Sequence, residues 1–216
     1  MRDKTGETAK ECLIVFSRYP EPGKTKTRLI PFLGSEGAAT LQRQMTEHTL
    51  AWCEQLQSEH PISVEVHFAG GNPQVMERWL GTGIVYQPQG EGDLGVRMAS
   101  AFEKAFGNGN SGVAIIGTDC PGLNAQIVKQ AFEALSQYDV VLGPATDGGY
   151  YLIGLRRAIP QLFSGISWGT SEVLQQTVQV AQQMDLALAY LPVLTDVDRP
   201  EDLPVWEQQA NLQSGR

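Results

Sequence analysis

Short apolar runs of strand length alternate with segments of helical period along almost the whole of this 216-residue chain. The clearest run is Val113–Gly117 (VAIIG), apolar throughout, as strands buried on both faces of a parallel sheet are. Cys12–Ser17, Ile62–Ala69, Ile84–Gln87, Asp139–Gly143, Tyr150–Leu155 and Leu186–Leu194 are the other strand candidates. Between them lie helical patterns. Leu41, Met45, Thr49, Trp52 and Leu56 share one face of a helix from Ser35, its N-cap, to about Gln57. Further helices are expected over Pro73–Leu80, Leu94–Phe106, from the cap Asn124 to Leu135, over Thr170–Met184 and over Pro200–Gln209, with proline first in the last. Such alternation reads as βαβ units. The expected fold is α/β: one doubly wound, mainly parallel sheet with helices on both faces, spanning 11–210. The polar stretches 1–10 and 213–216 are expected to be disordered tails.

Composition narrows the function classes. The segment MRDKTGETAKE is too polar for a signal peptide, and no apolar stretch is long enough to span a membrane. Three cysteines, Cys12, Cys53 and Cys120, form an odd set with no CxxC spacing, which fits a reducing compartment and a cytoplasmic location. The net charge of −8 disfavours nucleic acid as a partner. Against that background Arg18–Arg28 carries four bases, Arg18, Lys24, Lys26 and Arg28, and a single acid, Glu21. One compact cationic loop on an acidic chain points to a small anionic ligand, phosphate above all. The alternative is a solvated basic loop without a ligand.

That loop directly follows the first strand, where ligands of such sheets bind. Gly23-Lys24-Thr25 matches the second half of a P-loop, and VAIIGTD could place a metal-binding Asp after a strand. Yet Arg18 stands where the first glycine should be, and Pro20 and Pro22 remove backbone N–H groups that a P-loop turns on phosphate. Cationic side chains are therefore expected to do the binding.

Other candidates follow later strands. Asp119 in GTDCP could hold Mg²⁺ or Mn²⁺, or equally close an Asx-turn. Of Asp196 and Asp198, two apart in an extended segment, at most one faces a shared site, and the other could cap the helix that starts at Pro200. Asp147 in DGGY could orient an acceptor or take its proton, while Gly148 and Gly149 let backbone approach a ligand closely; a plain Asp-Gly turn is the alternative. Gly92, Asp93 and Arg97 suit base or ribose recognition, although a helix cap explains Asp93 equally well. Trp168 either lines an acceptor pocket or packs beneath its loop. The three histidines lack metal-ligand spacing, and Cys120 has no neighbouring histidine in sequence to activate it.

From about Leu13 to Leu203, the segments FSRYPEPGKTKTRL, QGEGDLGVRM, IGTDCPGL, LGPATDGGYYLIGL, WGT and DVDRPEDL together resemble the DUF2064 family. These are bacterial glycosyltransferase-like proteins that include a branch assigned to arsenosugar biosynthesis. The wider relatives are nucleotide-diphospho-sugar transferases of GT-A fold, among them guanylyltransferases that end in a similar D-x-D-x-P-E-D-L. The resemblance implies a nucleotide seated over the first strand, its phosphates toward Arg18, Lys24 and Arg28. It also implies a divalent metal at Asp119, with Asp196 or Asp198 as second ligand and Asp198 the stronger candidate. Gly23 and Lys26 complete the expected phosphate loop, and Gly148, Gly149, Tyr150 and Trp168 the acceptor pocket. The relatives' A-A-G-x-G-x-R loop is absent, and TDC offers one carboxylate where many glycosyltransferases have Asp-x-Asp.

Two transferase chemistries fit this set. In one, a sugar passes from a nucleotide-sugar to a small acceptor, with Asp147 as the catalytic carboxylate. In the other, a substrate phosphate attacks an NTP and pyrophosphate leaves. A non-catalytic nucleotide-binding module is the third reading.

Overall fold

The computed structural model describes residues 10–214. The expected tails fall largely outside these residues; Gln213 and Ser214 are described, as backbone closing the last helix.

The strands are β1 (Glu11–Arg18), β2 (Ile62–Ala69), β3 (Val85–Pro88), β4 (Gly112–Ile116), β5 (Val140–Pro144), β6 (Tyr150–Leu155) and β7 (Leu188–Tyr190). The helices are α1 (Ile30–Glu59), α2 (Pro73–Leu80), α3 (Leu94–Gly107), α4 (Ala125–Leu135), α5 (Val173–Gln183) and α6 (Leu203–Ser214). One seven-stranded sheet runs β3-β2-β1-β4-β6-β5-β7. The α/β expectation holds. All pairings are parallel except those of β6, which lies antiparallel to β4 and β5. The cause is local: β5 and β6 are joined by a few residues around Asp147-Gly148, and so short a connection can only make an antiparallel pair.

Alternation along β1 divides the core. Leu13 and Val15 join Leu50, Leu56, Met76, Val128 and Phe132 on the α1, α2 and α4 face. Cys12 and Ile14 join Met98, Phe102, Phe163 and Ala181 on the α3 and α5 face. A third apolar cluster ties α1 to the C-terminal segment through Leu29, Leu41, Met45, Val197 and Leu203. Each of these clusters includes a helix whose apolar spacing is visible in the sequence: α1 in the first and third, α3 and α5 in the second.

Three elements differ from expectation in extent. Gly34 (φ 72°, ψ 167°) breaks α1, so that a short turn over 30–33 precedes the helix expected from Ser35. The hydroxyl of Thr170 accepts from Glu172 N and donates to the Ser167 carbonyl, holding a turn that delays α5 to Val173. The last strand shrinks to three residues. The β5 register shifts at Gly143/Pro144, and Pro192 cannot donate, so the ladder gives way to single contacts such as Leu194 N to Pro144 O.

Candidate active site

The chain leaves β1 outward to β2 and β3, then returns through β4 on the other side of β1. That reversal opens a crevice beyond the carboxyl ends of β1 and β4, where open α/β sheets bind ligands. A cleft of about 710 Å³ lies there.

One wall is cationic. After β1 the chain turns at Glu21–Lys24, with Gly23 in a left-handed conformation (φ 80°) and Lys24 N donating to Glu21 O. Thr25 is buried beneath, and Thr27–Leu29 make one 3₁₀ turn that seats Leu29 in the core. Arg18 at the end of β1 and Lys24, Lys26 and Arg28 from this turn line the cleft. Lys24 is held at its rim by Glu21, 2.7 Å away.

An acidic wall adjoins the cationic one. Asp119 follows β4, Asp147 sits in the β5–β6 turn, and Asp196 and Asp198 come from the C-terminal segment; all four line the cleft. The two walls touch. Lys26 Nζ donates to Asp119 Oδ1 at 2.8 Å and to the Val197 carbonyl at 2.7 Å, and Arg28 donates to Asp198 at 2.8 Å. Asp147 accepts from Gly149 N, an Asx-turn that fixes one carboxylate oxygen and leaves the other free of hydrogen bonds to described residues. The Asp196 carboxyl is raised to about 6, chiefly by burial and next by the charge of Asp147, with Asp198 and Asp202 adding to it. Burial, and next the charges of Asp196, Asp119 and Asp147, push the Cys120 thiol up, so it is no thiolate nucleophile.

Between the walls the floor is polar but buried. Ser17 and Thr46 share a hydrogen bond of 3.0 Å, and the Gln42 amide donates to Thr46 and Thr118 at 3.2 Å each. Gln89 closes the β2–β3 end, its amide donating to the carbonyls of Ser17 and His67. Tyr150, Trp168 and Val173 supply an apolar side.

Of the residues singled out by sequence, Arg18, Lys24, Lys26, Arg28, Asp119, Asp147, Gly149, Tyr150, Trp168, Asp196 and Asp198 meet in this cleft, so both Asp196 and Asp198 face it where at most one was expected. Gly23, Gly92, Asp93, Arg97 and Gly148 do not line it. Asp93 caps α3 by accepting from Val96 N at 2.9 Å, and Arg97 Nε donates to the Gly92 carbonyl. A Cβ on Gly148 would meet the Ser171 backbone, so this glycine lets the β5–β6 turn pack against the entry to α5. Phe16, Ser17, Gln42, Gln89, Thr118 and Thr170 also line the cleft without having stood out as site candidates in the sequence. Gln42, Thr46 and Thr49, at helical spacing on the buried side of α1, were a legible polar stripe; the others carry no pattern of their own.

The donor set suits a hard divalent cation. The Lys26 ammonium already stands as a cation between a carboxylate oxygen and a carbonyl oxygen, and the Asp196 carboxyl is raised by burial and then by the charge of Asp147. Among the described residues no three His, Cys, Asp or Glu side chains are grouped to hold a metal by themselves. A metal would complete its coordination with oxygens from a ligand.

Comparison with known proteins agrees with the fold. Residues 49–170 match the model of the family described as "Uncharacterized protein conserved in bacteria (DUF2064)". A crystal structure from Desulfovibrio desulfuricans G20, provisionally classed as a nucleotide-diphospho-sugar transferase, is similar at 36% identity and TM-score 0.83, covering 89% of this chain and 84% of that one. CMP:2-keto-3-deoxy-manno-octonic acid synthetase, complexed with CTP, shares the fold at 14% identity and TM-score 0.58, over 96% of this chain and all of the other. So does glucosyl-3-phosphoglycerate synthase from Mycobacterium tuberculosis, in complex with Mn²⁺, UDP and glucosyl-3-phosphoglycerate, at 10% identity and TM-score 0.56, over 90% and 74% of the two chains. No curated protein matches the sequence at a significant level. Among the described residues no helix is long and apolar enough to cross a membrane.

Proposed function

Since the chain belongs to the DUF2064 family, we propose that it is a cytoplasmic glycosyltransferase that moves a sugar from a nucleotide-sugar to a small acceptor. One observation carries this reading: a cationic and an acidic wall, joined by ion pairs, line a single cleft at the point where strand order reverses. A nucleoside diphosphate needs the first wall, and a hydroxyl acceptor that must lose a proton needs the second. Relatives of the same fold have been solved with UDP and Mn²⁺ and with CTP, which supports a nucleotide donor.

In this reading Arg18, Lys24, Lys26 and Arg28 bind the diphosphate, and Arg28 offers a planar fork to its oxygens. The acceptor hydroxyl bonds to the anomeric carbon as the bond from that carbon to the diphosphate oxygen breaks. Negative charge grows on the leaving diphosphate, where preorganised cations are most effective. Asp147 takes the acceptor proton through its free oxygen. Trp168, Tyr150 and Gly149 flank the acceptor. Asp119 and Asp198 would hold Mg²⁺ or Mn²⁺, which supplies further neutralisation of the leaving group.

The test is a panel of labelled UDP-glucose, GDP-mannose and GTP, each with and without Mn²⁺, assayed for nucleoside diphosphate and for pyrophosphate. Nucleoside diphosphate released from a nucleotide-sugar is the expected product. Pyrophosphate released from GTP would replace this reading with nucleotidyl transfer. Binding with neither product would leave a nucleotide-binding module.

A further inference from the structure

Lys26 combines three features that are each costly for a lysine. Its backbone is left-handed (φ 43°, ψ 48°), its side chain is only 3% exposed, and its charge is placed within a wall of the cleft. A buried ammonium must be paired, and this one is, by Asp119 Oδ1 and the Val197 carbonyl. These two oxygens come from the β4 loop and the C-terminal segment, 93 and 171 residues from Lys26. The ammonium thus fills the position in which a hard cation would find a carboxylate and a carbonyl. Asp119 itself remains 48% exposed, so the pair faces the cleft. Arg28, itself exposed, pairs with Asp198 at 2.8 Å.

Resting on the proposed binding of a nucleotide in this cleft, we propose that Lys26 is a resident counter-cation that keeps divalent metal off Asp119 until a nucleoside diphosphate draws its ammonium away. Two cations cannot share one carboxylate oxygen at contact distance without strong repulsion. Metal entry at Oδ1, the oxygen beside the Val197 carbonyl, therefore requires that Lys26 leave. A diphosphate supplies both the anion that Lys26 moves to and further oxygens for a metal, since among the described residues no three His, Cys, Asp or Glu side chains are grouped around one point. Metal and nucleotide then bind with positive coupling, and by linkage each raises the affinity of the other by the same factor.

The experiment is a Mn²⁺ titration of the full chain, read by the electron paramagnetic resonance of free Mn²⁺, with and without UDP or GDP. Wild type is compared with Lys26→Gly, which keeps the left-handed backbone at no cost, and with Lys26→Gln, which keeps side-chain length. Without nucleotide both variants are expected to bind Mn²⁺ about tenfold tighter than wild type, and the gain on adding nucleotide shrinks in both. Asp119→Asn, which frees Lys26, is expected to bind UDP or GDP in EDTA at least as well as wild type. Equal Mn²⁺ affinity of wild type and both variants without nucleotide would overturn the proposal, as would weaker nucleotide binding by Asp119→Asn in EDTA. Failure of wild type to bind either nucleotide would instead sink the nucleotide reading, and the metal titration without nucleotide still decides whether Lys26 shields Asp119.

Discussion

Asp196 has its carboxyl raised from 3.8 to about 6, with burial the largest cause and Asp147 the next. A group that holds its proton more tightly when folded favours the native state fully below its ordinary value, and that advantage is lost as pH rises through about 6. Asp196→Asn should therefore raise the melting temperature at pH 7.5 and leave it unchanged near pH 3.5. The gain is about 1 kcal/mol once screening at a half-buried site is allowed for. Thermal melts in EDTA at the two pH values check this; equal shifts at both would show that the carboxyl is not uncompensated. Arg28 faces the cleft from the cationic wall. Arg28→Ala is expected to raise the Kd for UDP or GDP about tenfold, one charge-assisted hydrogen bond's worth, in isothermal titration. The sequence displayed these charges but not their partners: Arg28 and Asp198 are 170 positions apart and meet only because α1 and the C-terminal segment share an apolar cluster.

At the scale of elements, the loops around the cleft are set by the ends of helices and strands. Asp93 caps α3 and lies outside the cleft. Asp93→Ala should cost about 1 kcal/mol of stability and leave nucleotide affinity as it was. Denaturant melts and titration together separate these effects, and lost affinity without lost stability would return Asp93 to the binding site. Gly148 (φ 90°) sits in the β5–β6 turn against the backbone of Ser171, and its carbonyl accepts from Leu174 N in α5. Gly148→Ala meets both a forbidden backbone region and a backbone clash, so destabilisation by about 2–4 kcal/mol is expected. A wild-type melt for this variant would mean that the turn is free to move. Both residues were visible as candidates for function, and local pattern could not separate function from packing. A capping Asp and a ligand-binding Asp follow a strand in the same way, and only the direction of the side chain tells them apart.

For the molecule as a whole, the last segment closes what the sheet begins. Leu194 pairs with the end of β5, Val197 N donates to Asp119 O, and Val197 and Leu203 pack on Leu29 and Met45. Truncation after Val193 should expose that cluster and release the wall bearing Asp196 and Asp198. A broad, low-temperature melt with binding of a hydrophobic dye is the expected result, and a cooperative melt like that of the full chain would refute it. Local periodicity by itself determined the helices, the strands and the α/β class, because burial of one face acts over a few residues and leaves its spacing in the chain. The order of basic loop, Asp119, Asp147 and Asp198, each after a strand or its turn, was likewise legible, since parallel strands deliver such loops to one edge. Only the tertiary structure decided the strand order, the reversal of β6 and which acid meets which base. Spacing carries no direction and no long-range partner, and ion pairs across 93 and 170 residues exist only after the sheet and its third apolar cluster have brought those loops together.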